Sequence, residues 1–463
     1  MTLLLWFVPV PEGLSVNAMH YLAIFLGVVV ALITEPVPAA ITGLIGVAAA
    51  GALQLVPGAN GVITTKSSIS WALSGFGNST VWLIFIAFMF ALGYERTGLG
   101  KRIALLLMRA LGKRTLGLGY AVALADLMLA PFIPSNTARS GGTIFPIVSN
   151  IPPMYGSSAE DQPRKIGAYL MWTCLATTTV TSSLFFTGLA PNLLAMSIVK
   201  SSVNVDISWI EWFKAVAPVG ILLFLATPAL AYFLYPPTQK SSPQAPAWAA
   251  GELKKMGPLS RREITMGLLA LGALIMWIFG GKIMHGTMVA MIAMILMVLL
   301  GVVSWDDVLS NKQAWSVLVW FATLVTLAGG LSKVGFLEWF TEACTGLIQG
   351  YSIHTIIIAL LVLFFFSHYF FASVTAHVTA MLPLLLTTAA AVPGLDMRLM
   401  SMLLCGTLGI MGIITPYGTG PSPIYFGSGY VGRNAFWILG GIFGLVYFGA
   451  YLLIAVPWMT SIF

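Results

Sequence analysis

Two groups of polar residues sit inside apolar stretches 238 residues apart: Ser135, Asn136, Thr137, Ala138 and Arg139, then Ser373, Val374, Thr375, Ala376 and His377. Each supplies hydroxyl donors and one basic side chain, the set that holds carboxylate oxygens. Buried in hydrocarbon without partners, such groups cost several kcal/mol, so partners or function must offset them. Arg139 needs a carboxylate, and two are open to it: that of a bound anion, or Asp126 on the other arm of the same hairpin. His377 holds the matching place in the second group, where an imidazole can be neutral or charged. His368 has no counterpart in the first half and reads as structural or interfacial. Ser, Asn and Thr are also ordinary helix N-caps. Their occurrence at two matching places favours binding, because half-helix N-termini there add N–H groups and positive dipole ends. The pair suggests an anion site at the membrane midplane.

The elements that position these residues are set by composition. Of 463 residues, 58% are apolar and 8% charged, against about 25% charged in soluble domains, and mean hydropathy is +0.93. This is an all-α polytopic membrane protein whose surroundings are the lipid bilayer. The net charge of +7 lies in short loops between apolar runs, where the positive-inside bias accounts for it without nucleic acid. Cys174, Cys344 and Cys405 are scattered without metal-type spacing, and no cofactor motif is present. The run 93–101 (GYERTGLGK) lacks the ending of a phosphate loop, which argues against an ATP-driven pump. An intramembrane enzyme would need a nucleophile beside a base or a metal cluster, and His368, His377 and Asp126 show no such spacing.

A membrane span needs about 20 apolar residues. Candidates lie near 18–35, 37–56, 79–95, 166–203, 215–235, 264–280, 287–303, 315–332, 399–431 and 435–460. Two further regions, 115–153 and 354–392, are interrupted at their centres by the polar groups. Their arms, of about 17–20 residues, reach roughly 25–30 Å at most, marginal for two full crossings once the turn is discounted, so re-entrant hairpins are expected. Loop charge places Arg96, Lys101, Arg102, Arg109, Lys113, Arg114, Lys240, Lys254, Lys255, Arg261 and Arg262 in the cytoplasm. The first hairpin then returns to the cytoplasmic side, and the second opens from the outside. Gly93 and Gly98 precede Ser135 much as Gly330 and Gly335 precede Ser373, and Pro146 and Pro383 follow at matching depth.

Beyond each hairpin comes an apolar segment broken in its middle. The first break carries Thr187, Pro191 and Asn192, and the second Thr415, Pro416, Gly418, Thr419 and Pro421. Glycines there let backbone approach a ligand and prolines free carbonyls, or else the kinks serve packing alone. Inverted repeats with paired broken helices point to a secondary transporter. Symmetric hairpins could instead line an anion channel. Segments 99–114 and 336–349 are amphipathic and occupy corresponding places as interfacial arms, while the polar stretch 236–263 reads as a cytoplasmic linker. Residues 1–10 are too short to span, are followed by no signal-peptide cleavage site, and read as a truncated first helix.

At these motifs, over essentially its whole length, the sequence resembles the divalent anion sodium symporter family. The residues 135–139 and 373–377 and the run 415–430 (TPYGTGPSPIYFGSGY) resemble its branch of sodium-independent citrate/succinate and tartrate/succinate antiporters and plastid 2-oxoglutarate/malate translocators. The resemblance implies a homodimer in the cell inner membrane and an elevator mechanism. Scaffold would comprise 1–114 and 264–350, and a transport unit 115–235 and 351–463. It implies a di- or tricarboxylate substrate (succinate, malate, fumarate, 2-oxoglutarate, tartrate or citrate) and counter-substrate, bound between the hairpin tips by Ser135, Asn136, Thr137, Arg139, Thr187, Pro191, Asn192, Ser373, Thr375, His377, Thr415, Pro416, Gly418, Thr419 and Pro421. Sodium-coupled members carry Ser, Asn, Thr in both hairpins, whereas this chain has Val374 and adds Arg139 and His377. Side-chain cations in place of sodium imply exchange, with sodium-coupled symport as the alternative. On the substrate reading of Arg139, alanine there abolishes exchange and leaves the fold intact; on the Asp126 reading affinity for the dianion survives.

Overall fold

A computed structural model describes residues 1–58, 61–348 and 350–463, and the regular structure among them is helical. Among the described residues, seven helices are long and apolar enough to cross a membrane: Val16–Thr34, Ser79–Thr97, Trp209–Leu234, Arg261–Phe279, Lys312–Lys333, Ile353–Phe370 and Arg433–Ile462. Their starts follow local chemistry. Ser208 and Ser260 form reciprocal capping boxes with Glu211 and Glu263, satisfying N–H groups that would otherwise be orphaned. The Glu211 box explains why Trp209–Leu234 begins before the expected 215: Glu211 and Lys214 look like loop but lie in the first turns of the helix.

Two expected spans are shorter than anticipated. Ala39–Ala52 and Gly286–Leu299 have 14 residues each, about 21 Å of helix. Pro38 bounds the first, and the left-handed Gly301 (φ 70°) follows the second. The amphipathic arms appear as Leu99–Leu111 and Phe336–Ile348; residue 349, the last of the expected second arm, lies outside the described residues. Each arm is entered through a left-handed glycine, Gly98 (φ 76°) and Gly335 (φ 78°), at the places the repeat assigns to them. Residues 2–6 form a short helix, Thr2–Trp6, packed on Val16–Thr34, with Trp6 stacked on His20 at 3.9 Å.

Both hairpins form. The first runs as Thr115–Leu129, a turn, and a π-helical stretch Thr137–Ile144. Pro146 has no N–H for the Gly142 carbonyl, so a regular α-turn cannot be completed there. The second runs as Ile353–Ser367, a short turn, and Val374–Ala390 capped by Ser373. Thr115–Leu129 has 15 residues and Val374–Ala390 has 17, about 22 and 26 Å, both short of a hydrocarbon core of about 30 Å, whereas the other arm of the second hairpin, Ile353–Phe370, is by length and composition able to cross. The broken segments are also present. The first comprises Gly167–Leu184, Phe186–Gly188 and Ala190–Val203; the second comprises Met397–Cys405, Ile410–Ile413 and Ser422–Gly427 around an irregular stretch. Ala190–Val203 lies along Val374–Ala390, so the first broken helix packs on the second hairpin.

The linker holds a helix that its polar composition concealed, Gln244–Met256, burying Ala245, Ala249 and Leu253 against the arm Leu99–Leu111. These small apolar residues recur every four positions, a stripe too narrow to stand out among Pro, Lys and Ser. Lys101 pairs with Glu252 across this contact. Hydrogen bonds from Lys255 and Lys101 hold the Glu252 carboxyl below the usual glutamate range. Arg102 pairs with Glu263 and donates to the carbonyls of Gly257 and Pro258, anchoring the first arm to the head of the next span.

Candidate functional site

Gly167–Leu184 is buried along its whole length, although it carries Thr177, Thr178, Thr179, Thr181, Ser182 and Ser183. Arg139, also fully buried, turns into this hydroxyl-rich face. Its Nε donates to Asp126 Oδ1 at 3.2 Å, and its Nη1 to the carbonyls of Ile133 and Gly188 at 2.7 and 2.8 Å. Its Nη2 reaches the hydroxyls of Thr178, Thr181 and Ser182 at 3.1–3.3 Å. Thr181 in turn donates to the second oxygen of Asp126. All five guanidinium donors are therefore used within the protein. Of the two carboxylates open to Arg139, the one it meets in this structure is that of Asp126. The charge braces three elements, because one side chain ties the hairpin tip at Ile133 to the break of the first broken helix at Gly188 and to the helix before it.

The same tip and break are joined twice more. Ala190 N–H donates to the Pro134 carbonyl at 2.7 Å, and the Thr187 hydroxyl to the Pro131 carbonyl at 2.6 Å, with Trp209 Nε1 donating to the Thr187 oxygen. Thr187 is thus a brace, covered by Trp209. Pro191, in the first turn of Ala190–Val203, is buried. Asn192 donates to the carbonyls of Ser182 and Phe185, while its Oδ1 is buried without a partner in the protein.

The irregular stretch of the second broken helix meets both hairpins through adjacent residues. Asn136 Nδ2 donates to Thr419 Oγ1 at 2.7 Å, and His368 Nε2 donates to the Gly418 carbonyl, also at 2.7 Å. A Cβ added at Gly420 would collide with the Thr137 hydroxyl, so the two chains touch there as well. The Ser140 and Tyr425 hydroxyls are bonded at 2.8 Å. Ser183 Oγ accepts the N–H groups of Gly409 and Ile410, at 3.0 and 3.1 Å, and so ties the two broken helices together. Ser135 caps the N–H of Ala138, and Ser373 that of Thr375. Thr415 and Ser422 are buried with hydroxyls that have no partner in the protein, Pro421 is buried, and Pro416 is half-buried.

His377 is buried against Phe364 and Phe371 and lies 5.1 Å from the His368 ring. Donor bookkeeping fixes the tautomers. The Gly418 carbonyl can only accept, so His368 Nε2 carries a proton. Ser367 Oγ donates to the Phe364 carbonyl at 3.1 Å, so His377 Nε2 donates to Ser367 at 3.0 Å. Nδ1 of each ring is left buried without a partner in the protein. His368, expected to be structural or interfacial, contacts the central stretch directly, whereas His377 stands one layer behind it.

Two cavities open beside the first hairpin. One, of about 320 Å³, is lined by Leu92, Glu95, Arg96, Ala138, Asp307 and Lys312; the other, of about 300 Å³, is lined by Glu95, Lys101, Thr143, Trp248 and Glu252. Arg96 and Asp307, both in the lining of the first, pair at 2.7 Å. Loop charge puts both on the cytoplasmic side. Sequence reasoning missed Thr178, Thr181, Ser182 and Ser183. The signal was present: the run 177–183 (TTTVTSS) is as unlikely in an apolar segment as the hairpin groups.

The chain matches the sodium:sulfate symporter transmembrane region over residues 1–463. It is 46% identical over 464 residues to an L-tartrate/succinate antiporter of Escherichia coli, covering 98% of this chain and 95% of that protein. The antiporter of the same name from Shigella sonnei is likewise 46% identical, over 465 residues, with the same coverage. Among solved structures, the YdaH transporter of Alcanivorax borkumensis superposes with a TM-score of 0.59 at 14% identity, covering 96% of this chain and 98% of that one. That likeness concerns the fold alone.

Proposed function

This chain belongs to the sodium:sulfate symporter family, the divalent anion sodium symporters, and from that premise we propose that it exchanges one dicarboxylate for another across the membrane without sodium. Tartrate and succinate are the pair that the names of its 46% identical relatives suggest. The observation that carries the reading is the stretch 415–421, whose neighbouring residues Gly418 and Thr419 are bonded to opposite hairpins. A dianion bound against this stretch is felt by both tips at once.

In this reading Ser135, Asn136 and Thr137 from one side and Ser373 and Thr375 from the other donate to the two carboxylates, with the N-terminus of Val374–Ala390 adding dipole and N–H groups. The free hydroxyls of Thr415 and Ser422 have hydrogen-bonding capacity to spare, and Asn192 Oδ1, an acceptor, suits a substrate hydroxyl. Arg139, Thr187 and His377 position these groups from behind. Because Asp126 balances Arg139, the substrate's charge is met by neutral donors and helix ends. Val374 removes the amide that the sodium-coupled pattern places in the second tip, which favours a carrier without sodium. The unit 115–235 with 351–463 moves against 1–114 with 264–350 as an elevator, in a homodimer, and the cavity lined by Ala138, Arg96 and Asp307 is the cytoplasmic way in.

The test uses proteoliposomes loaded with unlabelled succinate. Labelled tartrate uptake is expected to be the same with sodium or choline outside. A loss of about tenfold or more on removing sodium, the size set by one missing favourable ligand interaction of about 1.4 kcal/mol, would return the chain to sodium coupling.

A further inference from the structure

The cytoplasmic end of Trp209–Leu234 carries Tyr232 in its last turn and Tyr235 as its C-cap. Each holds a cation on its ring. The Lys240 ammonium lies 4.2 Å from the Tyr232 centroid, and the Arg164 guanidinium 4.7 Å from that of Tyr235. Backbone hydrogen bonds fix the segments that bring them there. Thr238 and Gln239 donate to the carbonyls of Arg164 and Lys165, Thr115 donates to that of Lys240, and Ser242 to that of Lys113, with Arg114 bridged to Ser241. The linker thus runs as a strap between the end of the first arm and the start of the first broken helix, and it gathers Lys113, Arg114, Arg164, Lys165 and Lys240.

Among the described residues none of these five is in an ion pair with an acid, whereas Arg96, Lys101, Arg102, Lys200, Lys255 and Arg398 all are. The acids nearest in sequence, Glu160 and Asp161, are exposed in the loop before Arg164. Beside the two seated cations the same helix end turns Phe233 (74% exposed) and Leu234 (44%) outward. A positive-inside bias requires only that basic residues lie on this side; it does not require two of them to be seated on aromatic rings at one helix end beside an outward apolar pair.

We infer that this patch binds the phosphodiester of an anionic phospholipid, with Arg164 and Lys240 on the phosphate and the acyl chain along Phe233 and Leu234. The apolar pair decides for a lipid over free phosphate, which would gain nothing from it. The strap joins the first arm, the exit of the first hairpin through Tyr155, which accepts from Gln244 and Ala245, and the first broken helix. A lipid seated there braces the base of the first hairpin.

The experiment compares the full-length protein with the double variant Arg164→Gln/Lys240→Gln, using native mass spectrometry to count retained phosphatidylglycerol and phosphatidylcholine. Thermal unfolding in detergent verifies that the variant is folded. Each cation near an anionic surface contributes about fivefold in affinity, so the variant is expected to lose about 25-fold in phosphatidylglycerol retention and little in phosphatidylcholine. Phe233→Ser, which keeps both cations, is expected to weaken phosphatidylglycerol as well. Equal retention of the two lipids by the unaltered protein, undiminished phosphatidylglycerol on a folded double variant, or its displacement by millimolar inorganic phosphate would overturn the assignment.

Discussion

Replacing Arg139 by alanine is expected to destabilise the protein by about 3–5 kcal/mol and to abolish exchange, because it leaves the Asp126 carboxylate buried without its cation. The loss reaches beyond the ion pair. The carbonyls of Ile133 and Gly188 both point at Arg139 Nη1, so the tip of the first hairpin and the break of the first broken helix lose the group that spaces them. The double variant Asp126→Leu/Arg139→Met separates the two contributions. Removing both charges with apolar residues of similar length is expected to recover most of the stability, since a buried pair is about neutral against such a replacement. Exchange stays low in this variant, because methionine cannot hold the two carbonyls. Thermal unfolding and counterflow on the three proteins decide the matter. An Arg139→Ala protein of undiminished stability that has lost only substrate affinity would put the guanidinium back on the dicarboxylate.

The second large effect is expected at Gly418. A Cβ there would stand 2.8 Å from Thr415 Oγ1, 3.0 Å from the Gly412 carbonyl and 3.2 Å from His368 Nε2. Thr415 could rotate away, but the carbonyl cannot, and His368 is held between Gly418 and the His377 ring. The stretch must shift, carrying Thr419 away from Asn136. Misplacing a binding group by a fraction of an ångström to one ångström costs up to about 100-fold in rate. Gly418→Ala is therefore expected to lower exchange by 10- to 100-fold, about 1.4–2.7 kcal/mol, with an unfolding temperature near that of the parent. Gly427, a glycine of the same run whose added Cβ meets nothing, is the control, and Gly427→Ala is expected to exchange normally. Equal activity in the two variants would remove Gly418 from the centre of the site.

These expectations show where reading residues in order succeeds. The hairpins, the breaks and the left-handed glycines that enter the arms are local features: a polar group in an apolar run, a proline without an N–H, or a left-handed turn that glycine tolerates announces itself within a few positions. The Arg139 network is not local. Its partners come from Asp126, Thr178, Thr181, Ser182, Ile133 and Gly188, and the choice between substrate and Asp126 turns on packing of the helix Gly167–Leu184 that no spacing reveals. The His368 contact is hidden for a related reason. His368 has no counterpart in the first half of the repeat, and its bond goes to Gly418, 50 residues on. Internal symmetry finds what the halves share and passes over what one half does alone. The helix Gln244–Met256 was hidden differently, by a narrow stripe of alanines that becomes an interface only because the first arm lies against it.

The central claim is that two hairpins joined through Gly418 and Thr419 carry a dicarboxylate in exchange for another. The most direct measurement is labelled succinate uptake into proteoliposomes that are either empty or loaded with unlabelled tartrate, without sodium and with the membrane potential clamped. A carrier that must return loaded takes up label only in the loaded vesicles, and the initial rate rises to a plateau with internal tartrate. Equal uptake by empty and loaded vesicles, scaling with the gradient without a plateau, would contradict the account and make the hairpins the lining of an anion channel.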